Sequence, residues 1–317
     1  MRNAIELGAS LYVPAVHPDL VKIAQRKKLD HARSVIFCTE DAIRADQLQA
    51  ALENLRQALP LLSVWRGQMR FLRVRNPDVL KTVLTMPGAE LLDGFVLPKA
   101  TLENLPEYLS LLEGHPHQIM PTLETREVFD AWSMRALCQY LDVASVRHRI
   151  LAIRIGGNDL LSLLGMRRPK GKTIYQTPIG NVISNLVTTF KPAGFELTAP
   201  VFEYFNDAET LMREVREDLD HGLIGKTAVH PDQIRLIESC YKVSRHDLEM
   251  ADRIIDESAP AVFKMHDSMC EPSTHRNWAY QMRIIANSFG IRDPATRADH
   301  VLSFPDGIPL QATGTMS

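Results

Sequence analysis

The chain has 317 residues, 45% hydrophobic and 23% charged, a balance that excludes a disordered chain and suffices for a large buried core. A formal net charge of -2 gives no global attraction to nucleic acid or to an anionic membrane, and no segment approaches the ~18 apolar residues of a membrane span. Cys38, Cys138, Cys240 and Cys270 form neither a CxxC nor a Cys/His cluster, and the start MRNAIELGAS lacks the apolar run of a signal peptide, so a reduced, cytoplasmic protein is expected.

In chain order, short apolar or β-branched runs recur: ASLYVPA (9–15), SVIFCTE (34–40), MRFLRVR (69–75), GFVLPK (94–99), HQIMPTLE (117–124), ILAIRIGG (150–157), FELTAPV (195–201) and GKTAVHP (225–231). Helix-like stretches separate them, as in 41–59, where Leu48, Leu52, Leu55 and Leu59 share one face at steps of four, three and four. Strands alternating with amphipathic helices predict βαβ units and a parallel sheet, and eight units in a row suit an α/β fold of the closed (β/α)8 barrel type. An open doubly wound sheet is the competing arrangement, but no GxGxxG follows the first strand and no GxxxxGK[ST] occurs. From about 241 the pattern breaks: HDLEMADRIIDESAPAV and STHRNWAYQMRIIANSFGI predict two helices with FKMHDSMCEP between them, and the tail after Ile291 is rich in Pro, Gly and polar residues. The expected division is a barrel over 1–240 and a helical extension over 241–317.

Active sites of βα barrels lie on the face formed by the loops after the strands, so polar residues at strand ends carry functional weight. Here these are Glu40 and Asp41, Arg73 and Arg75, Lys99, Glu124, Asn158 and Asp159, and His230. Each also has a structural reading. Asp41, Asn158 and Asp159 suit helix caps, and Lys99 suits an ordinary surface site. Together they suit metal-assisted chemistry. Glu124 and Asp159 are hard oxygen ligands in the number Mg²⁺ usually takes from protein, and no His/Cys cluster competes for zinc. An arginine from the third strand would neutralise a substrate carboxylate or a developing enolate, while Gly156 and Gly157 would let ligands approach the backbone. Arg75, Lys99, Gly157 and Asn158 are the candidate substrate contacts.

The succession TEDAI, FLRVRN, GFVLPKA, PTLET, IRIGGNDLLSLLG and GLIGKTAVHPDQI resembles the CitE-like branch of the HpcH/HpaI aldolase and citrate lyase β-subunit superfamily, in the same order over about 9–290. It is most similar to a divergent group of C–C bond lyases of the TIM-barrel fold associated with tellurite-resistance gene clusters. The resemblance implies a Mg²⁺-dependent lyase or aldolase working through an enolate. It places the metal on Glu124 and Asp159, the substrate arginine at Arg73 and a supporting acidic pair at Glu40 and Asp41. It also implies a homotrimer or hexamer whose C-terminal segment lids a neighbour's site, with Asp267 in FKMHDSMCEP as proton donor or acceptor; capping a turn is that residue's alternative. Cys38 stands where the family commonly has Asp, and Ala9 and Ser10 stand where it has an Arg-Ser pair that helps some members hold coenzyme A. The spacing from Glu124 to Asp159 exceeds the usual by about two helical turns, which suggests a lengthened helix.

MRRPKGKTIYQTPIG (166–180) belongs to this sequence in its own right. Its Arg167, Arg168, Lys170 and Lys172 form either a solvated basic loop or an anion clamp for a phosphorylated substrate or CoA, with Tyr175 free to stack on a base. His230 and Gln233 in HPDQ are candidate substrate ligands, for which the resemblance implies mainly a structural role in closing the eighth strand. Two function classes follow: a lyase or aldolase acting on a small carboxylate, a 3-hydroxy acid or its acyl-CoA thioester, or a silent barrel that binds an anionic metabolite or partner proteins in a stress response.

Overall fold

A computed structural model describes residues 3–62 and 67–292, so the tail expected to be rich in Pro and Gly lies outside the described residues from 293 onward. All eight expected runs form strands: β1 (Ala9–Pro14), β2 (Ser34–Cys38), β3 (Met69–Arg73), β4 (Gly94–Leu97), β5 (Gln118–Leu123), β6 (Ile153–Ile155), β7 (Leu197–Thr198) and β8 (Lys226–Ala228). They pair in parallel in chain order from β1 to β7, and β8 returns to β1. An Ala199–Lys226 bridge, in which the Ala199 N–H donates to the Gly225 carbonyl at 2.7 Å, joins β7 to β8 and nearly completes the ring. The (β/α)8 barrel expectation holds.

The core explains the closure. Ile36, Met69, Phe71, Val96, Met120 and Ala152 pack together inside the ring, and the turn Ala4–Leu7 adds Ala4 and Leu7 beneath them. Ala9 and Ser10 are buried at the amino-terminal start of β1, with Ser34 Oγ donating to Ser10 Oγ at 2.8 Å. Around the barrel, the helix Leu48–Ala58 buries Ala51, Leu55 and Ala58. The buried stripe is therefore rotated from the all-leucine face, because small alanines let the helix backbone come close to the sheet while Leu48 and Leu52 stay half-buried. The link from β5 to β6 is not one lengthened helix. It runs through a 3₁₀ turn, Arg126–Phe129, and two helices, Ala131–Leu141 and Ala144–Arg147, broken at Asp142 and Val143.

The chain divides into two compact units after Tyr241. Within the second, the helices Arg245–Ile255 and Pro272–Phe289 pack through Ala251, Ile254 and Ala279. The FKMHDSMCEP segment forms an antiparallel hairpin, Phe263–Met265 with Ser268–Cys270, turning at His266, whose φ is 51°.

Candidate active site

Because every barrel strand runs the same way, the residues just past their C-terminal ends reach one mouth. A cavity of about 440 Å³ opens there, and Asp41, Arg73, Glu124, Gly157, Asn158 and Asp159 are among its lining. Glu124 follows β5 directly. Its Oε1 accepts the Lys99 backbone N–H at 2.8 Å, a contact made possible by the left-handed backbone of Lys99 (φ 50°) just after β4. Asp159 comes from the first turn of the helix Gly157–Leu163 and makes no capping hydrogen bond. Lys99 Nζ joins the acidic groups, 2.6 Å from Glu40 Oε1, 3.8 Å from Asp41 Oδ2 and 3.9 Å from Asp159 Oδ1.

Arg73 is held from four sides. Its guanidinium lies 3.1 Å from Glu40 Oε2 and 3.4 Å from Asp41 Oδ2, its Nε donates to Cys38 Sγ at 3.2 Å, and its Cζ stands 4.9 Å from the centre of the Tyr12 ring. Arg75 has a different role from the substrate contact expected of it. Its Nε donates to the Thr39 carbonyl at 2.9 Å and its NH2 to the Glu40 and Ile43 carbonyls at 3.1 Å, so it fixes the loop that presents Glu40 and Asp41. Strand β3 ends at Arg73, so Arg75 lies beyond the sheet, against the backbone of that loop.

The carboxyls divide into two electrostatic pairs. Burial works to raise Glu40, but the Asp41 contact, the Arg73 charge and the Lys99 ammonium together bring it down to about 2. Burial and the neighbouring Glu40 charge push Asp41 up to about 6. Burial, followed by the charge of Asp159, pushes Glu124 up to about 7 against the Lys99 N–H and Arg73. Arg73 and Lys99 thus do not offset burial and the Asp159 charge at Glu124, and a divalent cation held by Glu124 and Asp159 would supply the missing compensation. Among the described residues no three His, Cys, Asp or Glu side chains converge on a metal position. A two-carboxylate site that leaves other positions to water and substrate fits Mg²⁺ and does not fit structural zinc.

The two glycines serve this pair through packing. A Cβ on Gly156 would fall on the Glu124 carboxylate, and one on Gly157 would lie 2.8 Å from Pro200 Cβ and 3.2 Å from Ile174 Cδ1. They make room for protein atoms, where access for a ligand had been expected.

Two members of the expected anion clamp are engaged elsewhere. Arg168 is 1% exposed; it pairs with Glu214 and with Glu203 at 3.2 Å and donates to the Val201 carbonyl at 2.7 Å. Tyr175 donates its hydroxyl to Asp218 Oδ1 at 2.7 Å and stacks on His221, so it is not free to stack on a base. Both are drawn inward by a buried cluster in which Lys226 Nζ reaches Glu214 and Asp218 at 2.8 Å each. Arg167, Lys170 and Lys172 remain exposed. His230 accepts the Asp232 N–H at the start of the helix Pro231–Cys240, and Gln233 bridges Val229 and Phe202. Asp267 lies at the exposed hairpin turn of the second unit.

Among the cavity residues that escaped the strand-end reasoning are Tyr12, Thr122, Arg154, Thr227 and Glu203. Glu203 lies two residues beyond the FELTAPV run and was within reach of that rule. The others are inward-facing residues within strands.

The family described as C–C bond lyase of the TIM-barrel fold matches residues 1–291. The chain belongs to this family. A (3S)-malyl-CoA thioesterase of Cereibacter sphaeroides is 25% identical over 249 residues, 77% of this chain and 80% of that protein. The citrate lyase subunit beta of Leuconostoc mesenteroides is 23% identical over 260 residues, 80% of this chain and 83% of its own. In structure, the chain is similar to CitE from Mycobacterium tuberculosis in complex with magnesium, acetoacetate and coenzyme A. The TM-score is 0.67 at 22% identity, covering 88% of this chain and 98% of that one.

Proposed function

We propose that the cavity is the active site of a Mg²⁺-dependent lyase or aldolase that breaks or forms a carbon–carbon bond in a 3-hydroxy acid or its CoA thioester. The observation that carries this reading is the facing of Glu124 and Asp159 across one cavity, with Glu124 held at about 7 by burial and by its neighbour's charge. Glu124 and Asp159 would hold a Mg²⁺ ion, which would supply Lewis acidity toward a substrate carbonyl; in support, similar structures hold magnesium together with acetoacetate or with oxaloacetate.

The chain's own residues would do the rest. Arg73, fixed by Glu40, Asp41 and Cys38, orients a carboxylate or thioester oxygen and compensates negative charge as it develops there. In the cleavage direction the 3-hydroxyl loses its proton, the bond between C2 and C3 breaks, and the electron pair moves to C2 as an enolate that is then protonated. Asp267 is the proposed donor or acceptor, and the Glu40–Asp41 pair, with one carboxyl depressed and the other raised, can hold a proton beside Arg73.

Calorimetric titration with Mg²⁺, combined with product analysis on candidate 3-hydroxy acids and thioesters, tests the proposal. Wild type should bind Mg²⁺ and release a carbonyl fragment, and Glu124→Gln and Asp159→Asn should lose both. Release of CoA with the carbon skeleton intact would replace lyase chemistry with thioester hydrolysis. Mg²⁺ binding without turnover of any candidate would favour a silent metabolite-binding barrel.

A further inference from the structure

One cation in the cavity has no carboxylate beside it. Arg154, on β6, is only 2% exposed and borders the cavity from the barrel interior. Its NH2 donates to Thr227 Oγ1 at 2.6 Å, its NH1 reaches Met120 Sδ at 3.9 Å, and its Cζ lies 5.6 Å from the centre of the Tyr12 ring. Among the described residues no acidic side chain forms an ion pair with it. The comparably buried cations of this barrel are matched: Lys226 by Glu214 and Asp218, Arg168 by Glu203 and Glu214, Arg70 by Asp93. Burying a guanidinium without an anion costs several kcal/mol, so a fold that keeps one there has something else to neutralise it.

The surroundings supply hydroxyls of the kind that complete a carboxylate site. Thr122 is the register partner of Arg154 on β5, lines the same cavity, and has a buried Oγ1 with no hydrogen-bond partner. Thr227 already holds Arg154 in place. Tyr12 stands between Arg154 and Arg73, and burial raises its phenol despite both arginines, so it remains a neutral donor.

We propose that Arg154, with Thr122, Thr227 and Tyr12, forms a second carboxylate subsite on the cavity floor, so that the substrate is a short acid carrying two carboxylates. This rests on the metal and Arg73 end of the cavity holding the reacting carbonyl, as proposed above, and it adds what holds the other end. A charge-assisted pair formed in a buried site discriminates strongly between acids that have the second carboxylate and those that lack it.

Malate and lactate, 2-hydroxy acids that differ by one carboxylate, are suitable calorimetric probes in Mg²⁺ buffer with wild type, Arg154→Met and Arg154→Lys. Wild type should bind malate about tenfold or more tightly than lactate. Arg154→Met should bring that ratio close to one while Mg²⁺ and lactate affinities stay unchanged, and Arg154→Lys should keep part of the preference. Arg154→Met should also raise the Tm, since it removes an unmatched buried charge; a purely structural arginine would lower it. Equal affinities in wild type, or a malate preference that survives Arg154→Met, would overturn the subsite. A wild type that fails to bind Mg²⁺ counts against the metal reading alone, because a malate preference seen in EDTA and abolished by Arg154→Met still supports the floor site.

Discussion

Glu124 ties the cavity to pH. Its carboxyl moves from 4.5 to about 7 on folding, through burial and the Asp159 charge, so the folded chain keeps this proton over a range where the unfolded chain has lost it. Stability of the metal-free protein should then fall as pH rises through that window, by on the order of 2–3 kcal/mol, and level off above it. Denaturant titrations in EDTA check this: Glu124→Gln should make the slope shallower, leaving the part that the raised Asp41 carboxyl contributes over the same window, and saturating Mg²⁺ should do the same in wild type. Arg73 makes a different prediction. Arg73→Lys retains the charge but cannot span Glu40, Asp41 and Cys38 together, so kcat/KM should fall about 10²-fold at unchanged Mg²⁺ affinity in a steady-state assay. That Glu124, Asp159 and Arg73 line one cavity was legible, because strand ends in a barrel share one mouth. Arg154 was not, because a single charged letter inside IRI does not reveal which way it faces until the register with Thr122 is known. Arg168 was misplaced for a related reason: its partner Glu214 lies 46 residues further on, on a helix whose packing the basic loop does not encode.

At the level of elements, the strands are short and the loops beyond them are fixed by specific contacts. Gly156 ends β6 where Glu124 needs space, and its φ of -90° is open to any L-residue, so only the side-chain contact demands glycine. Gly156→Ala should therefore displace the Glu124 carboxylate, weakening Mg²⁺ binding by about tenfold or more at a stability cost of ~1–3 kcal/mol, measured by calorimetry and denaturation on the same sample. The buried cluster on β8 behaves in the opposite way. Lys226 separates Glu214 from Asp218, so Lys226→Met should destabilise the barrel by ~3–5 kcal/mol in urea. The apolar-run pattern exposed all eight strands, yet the buried stripe of the helix Leu48–Ala58 turned out to be set by Ala51 and Ala58 as well as Leu55, since proximity to a sheet rewards small side chains that a leucine count overlooks.

At the scale of the whole molecule, the proposed role of Asp267 can be tested for whether it acts within one chain or between chains. The sequence marked the change near residue 241, because the βα alternation stops there. It did not expose the hairpin: FKMHDSMCEP is too short and too polar on its exposed side to stand out as two strands, and their pairing is antiparallel and local. Asp267, at the turn of that hairpin, is the proposed proton carrier, so Asp267→Asn should lose turnover while keeping Mg²⁺ and lactate binding. Glu124→Gln should lose turnover by losing the metal. If the hairpin completes a neighbouring subunit's site in a closed ring, an equal mixture of the two inactive proteins, unfolded and reassembled together, forms sites with an intact barrel from one and an intact hairpin from the other. Random assembly makes about one site in four of that kind, so roughly a quarter of wild-type activity should return. If the hairpin serves its own barrel, every site carries one defect and the mixture stays inactive. Complementation alone therefore separates a hairpin that serves a neighbour from one that serves its own chain, and the expected quarter does not depend on the number of subunits.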